Sequence, residues 1–275
     1  MKSFNEMFHH TQNLPTIPEV VIDLIKSFDD PRADIRKIAK EIALDQVLMA
    51  RVLRMANSPR FGLSKQIASI DDAILVMGFN ALRTLVVAGG LAGAFKGPPG
   101  FDLKGFWRLS AANAGYAKWL AKSLGMREDF AFTGGLMLHI GVLLILLENP
   151  DQAEVVERAV ATGGYRAAIE ESILGFNHAE VGAELASRWN LPQAMIDAFR
   201  DYPEPLAQSE FMPLAGIYHL ADYLAGKALN GAEPQEIREG LPLEVLAKLG
   251  LEADLLVANL PSLSEVSAGL EELLS

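Results

Sequence analysis

The stretch "FAFTGGLMLHIGVLLILL", Phe130–Leu147, decides how the rest of the chain is read. It holds 18 residues, and only His139 can carry a charge. That length reaches the lower edge of a membrane span. Its flanks, Glu128, Asp129 and Glu148, are acidic rather than basic, and Thr133, Gly134, Gly135, His139 and Gly141 interrupt the apolar run. Such a composition suits a helix apolar all round at the centre of a helical domain. The expectation is therefore a buried core helix with one histidine inside it, and no membrane association.

Composition agrees with a globular chain. Half of the 275 residues are hydrophobic and about a fifth are charged. The net charge of −11 argues against a nucleic-acid surface, where a basic stripe is expected. There are no cysteines, which excludes disulfides, thiolate zinc sites and cysteine nucleophiles. The opening "MKSFNEMFHHTQNLP" lacks the charged-then-apolar pattern of a secretion signal, so a cytoplasmic location is expected.

Outward from the central stretch, periodicity is helical throughout, with no convincing alternating strand. "PEVVIDLIKSF" aligns Val21, Leu24, Ile25 and Phe28 on one side, and "DPRADIRKIAKEIALD" aligns Ile35, Ile38, Ala39 and Ile42. A break at Asp45 precedes "QVLMARVLRMANS". "SIDDAILVMGF" and "NHAEVGAELASRWNLP" open with Ser69/Asp72 and Asn177/Glu180 in capping spacing. Gly125 has the place of a helix C-cap. The turn "KGPPG", Lys96–Gly100, cannot continue a helix and marks a short hinge. These features predict an all-α protein of two packed helical lobes, an amino-terminal one at 10–95 and a second at 101–230. A carboxy-terminal helical extension at 231–275 follows.

Candidate chemistry rests on histidines. His9 and His10 lie in the polar amino-terminal arm. His139, His178 and His219 fall in the second half, and His219 and Asp222 share a helix face at i, i+3. Inward-pointing histidines and carboxylates in a helical bundle can bind metal and activate water. Against that, a histidine among Leu136, Leu138, Ile140, Val142 and Leu143 is expected neutral and hydrogen-bonded. No Walker-type glycine loop, G-x-S-x-G elbow or H-E-x-x-H is present. Gly89–Gly90 and Gly163–Gly164 suit close helix packing or a turn, and Arg51, Arg54 and Arg60 suit a solvated face.

Several segments together resemble the HDOD domain family. They are "LPTIP", Asp45, "LRMANSPRFG", "SIDDAILVMGFNALRTLV", "FWRLS", "GGLMLHIG", "NHAEVGAELASRWNLP" and "HLADYLA", spread over roughly residues 10–230. The resemblance implies all-helical signalling or regulatory modules related to HD-domain metal phosphohydrolases, generally without catalysis. It implies that the second lobe is an HD-like bundle. Aligned to HD enzymes, the first metal histidine falls at Leu109, and the His-Asp pair falls at His139–Ile140. A later histidine survives as His178, a frequent His-His pair falls at Asp201–Tyr202, and the closing aspartate survives as Asp222. His139, His178 and Asp222 are thus vestigial metal candidates. Isoleucine at position 140 can neither bind metal nor hold a nucleophilic water.

The expectation is a non-catalytic module with no catalytic residues, no cofactor and no metal. Its partners would be unidentified signalling proteins, without nucleic acid; a homodimer is compatible with the sequence. The alternative is an HD-type metal-dependent phosphohydrolase acting on nucleotides or cyclic dinucleotides. There, Asp201 or Glu171 would stand in for the missing ligands and His219 would assist. Nucleotide binding without cleavage is a third option.

Overall fold

A computed structural model describes residues 1–9, 15–27, 35–57, 66–95 and 97–267. Some positions singled out above (His10, Leu14, Phe28, Ser58, Arg60 and Lys96) lie outside the described residues, as do 268–275. A short α1 (Phe4–His9) precedes α2 (Glu19–Lys26), α3 (Ile35–Leu44), α4 (Gln46–Ala56), α5 (Ile70–Met77) and α6 (Phe79–Ala94). The second group comprises α7 (Leu103–Ser123), α8 (Glu128–Met137), α9 (Ile140–Glu148), α10 (Pro150–Ala161), α11 (Arg166–Leu174), α12 (His178–Arg188), α13 (Gln193–Asp201) and α14 (Pro213–Leu229). The extension adds α15 (Pro234–Glu239), α16 (Leu243–Leu249), α17 (Ala253–Ala258) and α18 (Leu263–Val266). Among the described residues there is no strand.

The helix starts follow local chemistry. Asp45 Oδ1 accepts from the backbone N–H groups of Val47 and Leu48 at 3.0 and 2.9 Å, satisfying the opening amides of α4. Ser69 caps α5 through the Asp72 N–H, and Asn177 and Glu180 form a reciprocal capping box on α12. Asn57 explains its place in "RMANS". Its amide donates to the carbonyls of Leu53 and Ile67 at 2.7 and 2.8 Å, and its oxygen accepts from the Ile67 N–H at 2.7 Å. One side chain thus ties the end of α4 to the strand of chain that leads into α5.

The central apolar stretch differs from the expected single helix. It breaks at Leu138–His139 into α8 and α9, with His139 at φ −98°, ψ 11° heading α9. Apart from Leu147, which is 43% exposed, the segment is buried by other helices, α8 against α7 and α14, and α9 against α12. Ile35 is a second difference: predicted on the inner face of α3, it is 41% exposed, whereas Ile38, Ala39 and Ile42 are buried.

Both groups of helices share one continuous apolar core. At the junction Arg83 of α6 donates to Asp129 at the start of α8 at 2.8 Å. The Phe95 ring meets Trp189 edge-on at 6.2 Å, and the Trp189 indole donates to the Pro15 carbonyl. The arm carrying α1 is pinned where α9 ends. Asn149 accepts from the Lys2 N–H and donates to the Lys2 carbonyl, while the rings of Phe4, Phe8 and Phe176 stack nearby. The extension returns along α7 and α14. The Tyr116 hydroxyl donates to the Pro261 carbonyl, Val266 covers Gly115, and the Tyr223 hydroxyl donates to the Ile237 carbonyl.

One close approach positions the site. A Cβ at Gly141 would stand 2.0 Å from the His178 carbonyl oxygen and 2.9 Å from the Gly182 nitrogen, so α9 and α12 touch backbone to backbone at their first turns. Gly141→Ala must push these helices apart, and we expect a loss of about 2–3 kcal/mol or more in denaturant unfolding. Gly226→Ala in α14, where a Cβ meets nothing within 4 Å, is expected to be neutral or stabilising by up to about 1 kcal/mol in the same assay.

Candidate functional site

Contact at Gly141 brings the first turn of α9 beside the first turn of α12. The rings of His139 and His178 consequently lie 5.2 Å apart, centroid to centroid. α14 supplies the third vestigial residue. Asp222 Oδ1 accepts from His139 Nε2 at 3.2 Å and from the Asn113 amide of α7 at 3.3 Å. The structure therefore brings His139, His178 and Asp222 to one place.

His178 is engaged on both ring nitrogens. Nδ1 donates to Glu170 Oε2 at 2.5 Å, and the same oxygen accepts the His178 backbone N–H at 2.7 Å. Nε2 lies 2.5 Å from the Tyr202 hydroxyl. Burial drives the Tyr202 phenol well above its ordinary range, with Asp222 adding to the effect, so the phenol keeps its proton and donates it to Nε2. Burial lowers the imidazole of His178, with Glu170 opposing. The ring is therefore neutral, protonated on Nδ1 and accepting on Nε2.

Glu170 is the buried anion that fixes this tautomer. Burial acts to raise its carboxyl, and the His178 ring and backbone N–H, then Arg166, outweigh that and hold it low. Arg166 stands one turn before Glu170, pairs with both oxygens of Glu157 at 2.8 and 3.0 Å, and reaches Glu170 Oε1 at 3.4 Å. For Asp222, burial again acts upward, and His139, His178 and the Asn113 N–H together bring the carboxyl below its ordinary value. Asp222 is an anion in a partly buried position.

The other predicted residues fall elsewhere. His219 turns its Nδ1 to the Tyr202 carbonyl at 2.9 Å and lines a cleft outside the histidine pair. Asp201 accepts from Gln208, and Glu171 accepts from the Asn177 amide; both face a separate outer groove. Neither replaces the missing ligands, because each stands about 100° around its helix from the buried neighbour, Tyr202 or Glu170, and faces outward. Leu109 packs half-buried against the core. His9 is exposed, as is Arg54.

Sequence reasoning missed Glu170, Arg166 and Asn113 as members of this network. Arg166 and Glu170 do show the i, i+4 spacing of a helix ion pair, but nothing in the linear order links Glu170 to His178.

The arrangement does not fit a divalent ion. The Nε2 of His139 is directed at Asp222, the Nε2 of His178 faces the Tyr202 hydroxyl, and Ile140 offers no ligand atom. Among the described residues no three His, Asp or Glu side chains are grouped as a metal centre requires. The side-chain oxygens of Ser110, Asn113, Thr133 and Tyr218 are buried in α7, α8 and α14 without a hydrogen-bond partner among the described residues.

Comparison with known proteins follows the same lines. The family model described as "HDOD domain" matches residues 14–205. Among solved structures, a Shewanella amazonensis SB2B protein named as a candidate phosphohydrolase superposes with a TM-score of 0.79 at 28% identity, covering 98% of each chain. An HDOD domain protein of unknown function from Geobacter sulfurreducens gives 0.78 at 26% identity, over 94% of this chain and 93% of the other. A candidate signal transduction protein from Marinobacter aquaeolei VT8 shares the fold, with a TM-score of 0.76 at 21% identity, over 100% of this chain and 62% of that one. An uncharacterized protein of Treponema pallidum is 26% identical over 228 residues; the match spans 82% of this chain and 44% of that protein.

The His178 network gives the protein an acid limb. With the folded pKa below the ordinary imidazole value of about 6.5, the unfolded chain binds more protons than the native one, so stability falls as pH drops below that value. Glu170 and Asp222, both held low, add losses only nearer pH 4, as the pH falls toward their folded values. Chemical denaturation from pH 7.5 to 5 should show a slope from His178 of up to about 1.4 kcal/mol per pH unit. His178→Gln should flatten that slope, whatever its effect at neutral pH.

Proposed function

The chain belongs to the HDOD domain family, and from that premise we propose that it is a cytoplasmic, non-catalytic regulatory module acting through contacts with other signalling proteins. The observation that carries this reading is the Tyr202 hydroxyl on His178 Nε2. In a hydrolytic centre that lone pair would have to face a metal ion, and water activation requires the ligand set around it. Here the lone pair is spent inside the protein, and the carboxylates of Asp222 and Glu170 meet His139 and Arg166 from within the fold.

A surface feature supports the interaction half of the reading. In the first lobe, taken as residues 10–95, Leu44 and Leu75 are 82% and 83% exposed, and Val47 and Val76 are at least half exposed. They lie on α3, α4 and α5, which pack against one another. Large apolar side chains left in water on neighbouring helices mark a surface for protein contact.

A second reading, an HD-type phosphohydrolase acting on nucleotides or cyclic dinucleotides, draws support from the name of the Shewanella relative. The two readings separate in one assay. Protein freed of metal and resupplied with Mn²⁺, Ni²⁺ or Zn²⁺ should leave nucleotide and cyclic-dinucleotide phosphoesters at the background rate; turnover lost on His178→Ala would favour the second reading. For the first, a partner recovered reproducibly at native expression should be lost when Leu44 and Leu75 are changed to lysine, with the melting temperature unchanged.

A further inference from the structure

The network leaves one group pointing outward. Among the described residues Asp222 meets Asn113 and His139 at Oδ1, and its side chain remains 23% exposed. It borders a cleft of about 790 Å³, within the range of small-molecule sites. Tyr165 and His219 flank it, Tyr223 and Lys227 follow on α14, and Glu236 of α15 faces them from the extension. The extension thus forms a wall of this cleft.

Charge and shape restrict the occupant. Asp222 and Glu236 oppose a single Lys227, whose ammonium sits 5.8 Å from the centroid of the Tyr223 ring. A phosphate at the floor would meet the Asp222 carboxylate directly, which disfavours nucleotides. Tyr165 and Tyr223 line the cleft beside a fixed anion, and the Tyr223 ring already carries the Lys227 ammonium, the pairing of aromatic ring and anion that recognises organic cations. His219 and Pro242 also line an adjoining, mostly apolar pocket of about 520 Å³ formed with Pro205, Leu206, Leu243 and Val245. A ligand larger than a bare ion can extend there.

We infer that this cleft binds a small organic cation, an ammonium or guanidinium compound with an apolar portion, whose charged head pairs with Asp222. The site goes beyond the regulatory role proposed above and does not depend on a partner or on hydrolysis. It would give the module a ligand to sense, with the carboxy-terminal extension reporting its presence.

The test is isothermal titration of the chelator-washed full chain with agmatine, spermidine, tyramine and phenethylamine, and with AMP and pyrophosphate. Saturable binding of at least one amine, and none of the two phosphates, is expected. Asp222→Asn keeps an acceptor for His139 and should weaken the amine by about tenfold or more. Gly226→Met places a side chain into the cleft from a position with free space, leaves Asp222 untouched, and should also abolish binding. Absence of binding by all four amines overturns the inference. So does amine binding that survives both substitutions, or binding of the phosphates in their place. Because the readout is binding alone, a failure here is distinguishable from a failure of the non-catalytic reading, which rests on turnover.

Discussion

The backbone contact between α9 and α12 at Gly141 is the constraint on which the candidate site depends. Only a residue without a Cβ lets the His178 carbonyl come this near, and the contact fixes the spacing of the two helix starts. His139 and His178 sit at those starts, so their rings face one another as a consequence of packing rather than of mutual attraction. The remaining groups are then recruited by reach: Asp222 from α14, Glu170 from α11, Tyr202 at the end of α13.

What forms there is a closed polar network in an apolar surround. A buried charge is tolerated when it is paired and hydrogen-bonded. Glu170 meets this condition through Arg166 and two donors from His178, and Asp222 through His139 and Asn113. The tyrosine at position 202 is central to this network. A phenol whose proton is held by burial is a donor, and a donor on Nε2 is the opposite of a vacant ligand position. The residue that follows α13 therefore occupies the second ring nitrogen of His178.

Much of the scaffold was legible in order of residues. Helical periodicity identified α2, α7 and α12, and Asp45, Ser69 and Asn177 announced helix starts, because caps are local hydrogen bonds within one turn. Periodicity erred where locality ended. Ile35 follows the apolar spacing of α3 yet remains exposed, because spacing along one helix does not specify what packs against it. The run Phe130–Leu147 hid a break, because an all-apolar segment has no polar face to mark a change of direction. At the site, the resemblance named His139, His178 and Asp222, and the fold gathered them. Glu171 and Asp201 were each one residue away from the side chain that is actually buried, Glu170 and Tyr202. On a helix one residue is a turn of about 100°, enough to exchange core for solvent.

The sequence by itself determined the all-helical class and the chain's place in its family, since each is a property of residue type and spacing; that Ile140 stands where a carboxylate would be is what the resemblance to HD enzymes implies. Tertiary structure alone decided the state of the surviving residues. Whether a histidine is a ligand or a satisfied core group depends on what meets its second nitrogen, and Tyr202 reaches His178 from 24 residues away. The cleft beside Asp222 is likewise a product of packing, because its opposite wall comes from an extension folded back across α14.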